Sequence, residues 1–107
     1  METEALALAC SRLDRAIYRN NGIDFNPTGQ SPEAQLIGRI YGWCQRLLEK
    51  GKAAISGKTV SVEREAPQYE ELLKLVEKTI EVEPTKIDLR SLLNAGQEVC
   101  GILQEAT

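Results

Sequence analysis

The sequence predicts an all-α fold, a small four-helix bundle-like domain spanning residues 1–107. Three observations carry that expectation. Apolar residues recur every three to four positions in four separate stretches, start and stop residues flank most of these stretches, and only residues 59–63 alternate as a short extended segment would. The expected helices cover about 3–20, 32–50, 67–81 and 86–104. A chain of 107 residues with 42 % hydrophobic and 27 % charged residues has the ordinary make-up of one globular domain.

The first helix is expected to bury Ala5, Leu6, Ala9, Cys10, Leu13, Ala16 and Ile17 on one face, with Arg12, Arg15 and Arg19 in an exposed row on its flank. Asn20, Asn21 and Gly22 supply a left-handed stop. Residues 23–30 then form a turn-rich connection. Asp24, Asn26, Thr28 and Gly29 imitate the opening of a calcium loop, but position 12 is Gln35 and Pro32 already starts the next helix, so the reading is an ordinary turn.

The second helix is the expected centre of the fold. Ser31 is a good N-cap, Pro32 suits the first helical position, and Gly51 after Lys50 reads as the stop. Its apolar residues, Leu36, Ile37, Ile40, Tyr41, Trp43, Cys44, Leu47 and Leu48 with Ala34, cover about half the circumference, which implies more than one neighbour. Gly38 and Gly42 lie one turn apart beside that stripe. Each weakens the helix by about 1 kcal/mol relative to alanine, so both are expected at a close helix–helix contact.

The segment 51–65 reads as a solvated loop or partner-binding arm. Gly57, Lys58 and Thr59 resemble the end of a phosphate-binding loop, but the first glycine is one residue early and no buried strand precedes it. Pro67 opens the third helix, with Tyr69, Leu72, Leu73, Val76 and Ile80 on its inner face. After Pro84, Thr85 and Asp88 cap a fourth helix whose inner face is Leu89, Leu92, Leu93, Gly96, Val99, Cys100 and Leu103. Gly96 stands where a leucine or alanine is usual. A bulky neighbour, Trp43 or Tyr41, is therefore expected against it.

The chemistry-bearing residues are sparse. There is no histidine, no Cys-x-x-Cys pair and no nucleophile motif, so no catalytic set, metal site or cofactor is expected. Cys10, Cys44 and Cys100 read as buried small hydrophobes of a reduced, cytoplasmic protein, and nothing reads as a membrane span. The net charge of −3 is mild but uneven: residues 1–58 hold eight Lys/Arg against six Asp/Glu, residues 59–107 five against ten.

These features point to a non-catalytic adaptor or accessory protein that binds a protein partner and forms a homodimer through the 31–50 helix, with Arg39, Trp43 and Arg46 as partner-binding residues and Gly38, Gly42 and Gly96 at close helix contacts. The alternative is a nucleic-acid-binding accessory protein. It requires Arg12, Arg15, Arg19, Arg46 and Lys50, on helices one and two, to converge as one patch.

Overall fold

The computed structural model describes residues 3–20, 32–79 and 89–105. Among them the chain forms four helices and no strand: α1 Thr3–Asn20, α2 Pro32–Ile55, α3 Gln68–Thr79 and α4 Leu89–Glu105. The turn expected over residues 23–30, the Ser31 cap and the Thr85–Asp88 cap lie outside the described residues, as do Ile80 and the connection that follows it.

Most residues of the expected inner faces are buried, while Ala5 and Ala16 of α1, Ile37 and Tyr41 of α2 and Tyr69 and Leu73 of α3 are half-buried. On α1 the buried ones are Leu6, Ala9, Cys10, Leu13 and Ile17, and on α4 all seven expected residues from Leu89 to Leu103. α2 and α4 pack against each other, and each also packs against α1 and α3, whereas α1 and α3 do not touch. The bundle is thus squeezed along one diagonal, with α2 and α4 as a central pair and α1 and α3 across it from one another. This accounts for the wide stripe of α2, which serves three neighbours at once.

The pairing of α2 with α4 depends on Gly96. A Cβ there would lie 2.5 Å from Cζ3 of Trp43, so the indole occupies the space a side chain would need. Trp43 is fully buried. Its Nε1 donates to the carbonyl of Glu65 at 2.8 Å, and the Tyr69 ring lies 6.3 Å away, centroid to centroid. A buried indole N–H needs an acceptor, and the connector between α2 and α3 provides it.

Two expectations about α2 are corrected. The helix does not stop at Gly51 but runs a further turn to Ile55. Gly51 is buried inside it, where a Cβ would collide with Sγ of Cys10 and come within 3.3 Å of Val99 Cγ1, so this glycine lets α1 and α4 close on α2. The stop is Gly57, at φ 90°. Its N–H reaches the carbonyl of Ala54 and the N–H of Lys58 that of Ala53, both at 3.0 Å, the paired bonds of a Schellman cap. The glycine contact expected at Gly42 is also not a helix–helix contact. A Cβ there would meet only the guanidinium of Arg46, one turn along the same helix, at 3.2 Å. Gly38 is half-buried.

Residues 58–62 are irregular rather than a strand. Their alternation survives in another role, because Val62 is buried and Val60 packs on the core while Thr59 and Ser61 face water. Two valines at period two anchor a connector as well as they would anchor a strand. Residues 63–67 then make one tight turn, with the Ala66 N–H on the Val62 carbonyl at 2.9 Å, and α3 begins at Gln68, just after Pro67. On α4, Gln97 is half-buried, and its Oε1 has no hydrogen-bond partner among the described residues.

Candidate interaction surface

The residues expected to bind a partner all face α3 or the core. Trp43 touches no solvent, so it cannot be a contact residue on this fold's surface; it is a core residue, which corrects the expectation. Arg39 Nη2 pairs with Glu71 Oε1 of α3 at 3.0 Å, and Arg46 Nε stands 3.8 Å from Glu65 Oε1. The two arginines thus lie along the side of α2 that meets α3 and the connector.

Glu65 is the one buried charged residue among those described. Its Oε2 accepts from Lys50 Nζ at 2.9 Å, and the same ammonium also donates to the Ser61 carbonyl. Removing a carboxylate from water is costly unless cations compensate it, and here Lys50 and Arg46 flank it from α2. The result is a clasp that fastens the connector to the central helix. Oε2 is held by the Lys50 hydrogen bond, and Oε1 lies in the looser field of Arg46. Nothing in the sequence signalled this: Glu65 closes the charged run Glu63–Arg64–Glu65, and only the fold decides which of its charges turns inward.

The basic patch required by the nucleic-acid alternative does not assemble. Arg46 and Lys50 are drawn to Glu65 on the α3 side of α2, whereas Arg12, Arg15 and Arg19 belong to α1, across the central pair from α3. Arg12 is further neutralised by Glu98 of α4, at 2.6 Å.

The thiols are poor nucleophiles. Burial raises the pKa of Cys10, against the nearby charge of Lys52, and raises that of Cys44 to about 12, against Arg46. Cys100 is raised by burial and by Glu65, with Lys50 opposing. All three are free and buried. No group of three His, Cys, Asp or Glu among the described residues could hold a metal ion, and none of their helices is long and apolar enough to cross a membrane. A groove of about 410 Å³ runs along Thr59–Glu63 and Gln104. Glu63 is the only ionisable side chain in it.

The surface feature that stands out is on α1. Leu8 is 53 % exposed and Tyr18 79 %, the two largest exposures among the big hydrophobic side chains of the described residues. At 100° per residue they fall within about 80° of each other, about 15 Å apart along the axis and on the side opposite the buried stripe. Ala7 and Ser11 lie beside them and are exposed and small. Arg15 and Arg19 share this face, are exposed, and have no salt bridge with any described residue. The sequence held a signal for this surface, since Leu8 and Tyr18 are the large apolar residues of the first helix that the inner stripe leaves out.

No family model, curated protein or solved structure matches the chain.

Proposed function

We propose that the chain is a non-catalytic helical interaction protein, an adaptor or accessory subunit, and that it acts through the outer face of α1 rather than through the 31–50 helix. The supporting observation is the arrangement of Leu8 and Tyr18 with Arg15 and Arg19 on the side of α1 turned away from the core. Tyrosine and arginine are enriched where proteins meet, and small residues between them allow close approach. The apolar stripe of α2, by contrast, is covered by α1, α3 and α4. A reducing, cytoplasmic setting belongs to the same proposal and rests on the three unpaired, buried thiols.

Site-specific photo-crosslinking tests this. A benzoylphenylalanine replacing Tyr18 is expected to give covalent adducts with protein in native extract, while the same group replacing the exposed Lys74 of α3 gives none. Equal yields from both positions, or none from position 18, would overturn the proposal.

A further inference from the structure

We infer that the occupant of the α1 face is a second copy of this chain, seated antiparallel about a two-fold axis between Ser11 and Arg12. This rests on the proposed role of α1 as the contact surface. The motivation is the charge order along the helix. Glu4 stands in its first turn and Arg19 in its last, and both lie on the outward side with Leu8, Ser11, Arg15 and Tyr18. In an antiparallel pair, residues whose numbers sum to 23 lie opposite one another. Glu4 then faces Arg19 of the second copy, and Leu8 faces the stem of the second copy's Arg15, with Tyr18 about one turn beyond to close over it. The two-fold repeats each contact.

The centre of such a pair is built for close approach, because Ala7 and Ser11 carry little bulk there. Arg12 sits on the flank near its symmetry mate, where like charges would repel. Its guanidinium is already drawn to Glu98 of α4, 2.6 Å away. A parallel pair would instead set Glu4 against Glu4 and Arg19 against Arg19. A polyanion fits the face less well, since Glu4 and Asp14 are exposed on the same helix and phosphate gains nothing from Leu8. One 18-residue helix, about 27 Å long, buries less than a standard interface of about 1,600 Å². The dimer is accordingly a weak one, with dissociation in the micromolar to sub-millimolar range.

Sedimentation equilibrium from about 1 µM to about 1 mM tests this, and a charge exchange fixes the register. The wild-type mass is expected to climb from 11.9 kDa toward twice that value. Glu4→Arg and Arg19→Glu are each expected to weaken association roughly tenfold, and the double variant to recover it to within about threefold. The double variant carries the wrong charge at both ends of the helix dipole, so recovery cannot come from a more stable α1.

A wild-type mass that stays at one copy up to about 1 mM overturns the inference, as does a double variant weaker than either single one. A flat mass together with adducts from position 18 to a protein of another mass would sink the second copy alone and leave the α1 surface standing. Binding of RNA by the wild type that the double variant fails to recover is the polyanion outcome, and it also overturns the inference.

Discussion

α1 and α2 present apolar residues in different amounts and use them differently. α2 carries the wider stripe and the only tryptophan, yet its apolar residues from Leu36 to Leu48 pack on the core, because three helices lie against it, and only Ile55 at its end is exposed among its large described apolar residues. α1 carries a narrower stripe for two neighbours, and it is α1 that leaves a leucine and a tyrosine in water. The width of an apolar stripe therefore reports how many neighbours a helix has. A residue that falls outside the stripe says more about contact with other molecules.

The sharpest way to separate the two helices is to truncate each in turn. Trp43→Ala removes a fully buried indole and its bond to the Glu65 carbonyl, and is expected to cost about 3–5 kcal/mol, a large part of the roughly 5–15 kcal/mol such a domain possesses. Chemical denaturation measures it. A cost below about 1 kcal/mol would mean that α2 is not the hub.

The alkaline limb of stability probes the same hub through Cys44. The folded thiol keeps its proton to about pH 12, while the unfolded thiol releases it near the ordinary value of 9.0. Stability is therefore complete below about pH 9 and falls as the pH rises toward 12, by about 1.4 kcal/mol per unit. In Cys44→Ala this part of the slope is expected to vanish. Equal slopes in the two proteins would show that water reaches the seam between α2 and α4.

Gly51 tests the closeness of α1, α2 and α4. Gly51→Ala brings a methyl onto Cys10 Sγ and is expected to cost about 1–3 kcal/mol in melting experiments, and Cys10→Ala in the same chain to return most of it. Additive losses would place the two residues apart. The smallest effect is expected on the outside: Tyr18→Ala should change folding stability by less than about 0.5 kcal/mol, because the ring rests on little of its own chain.

The sequence made the inner faces legible because burial follows the helical period: all seven expected residues of α4 are buried, and Gly96 and Trp43 meet as the missing side chain implied. Gly51 misled because glycine serves two purposes, ending a helix and admitting a neighbour, and its position after Lys50 suited the first. Deciding between them needs the position of Cys10, some forty residues away in sequence. Trp43 misled in a related way. Flanking arginines resemble a contact surface, but Arg46 turns to Glu65 and Arg39 to Glu71, and both carboxylates belong to the chain itself. Pairings across such separations are set by tertiary packing, so local composition does not reveal them.

Whether the α2 seam is closed by the chain alone can be read from Trp43 fluorescence with iodide, followed from a concentration at which the chain associates down to one at which it is a single copy. If α1, α3 and α4 cover the indole, its emission stays unchanged and iodide quenches it no more at the highest dilution than at the lowest. Quenching that grows as the copies separate would contradict this, and would mean that a second molecule had been shielding α2.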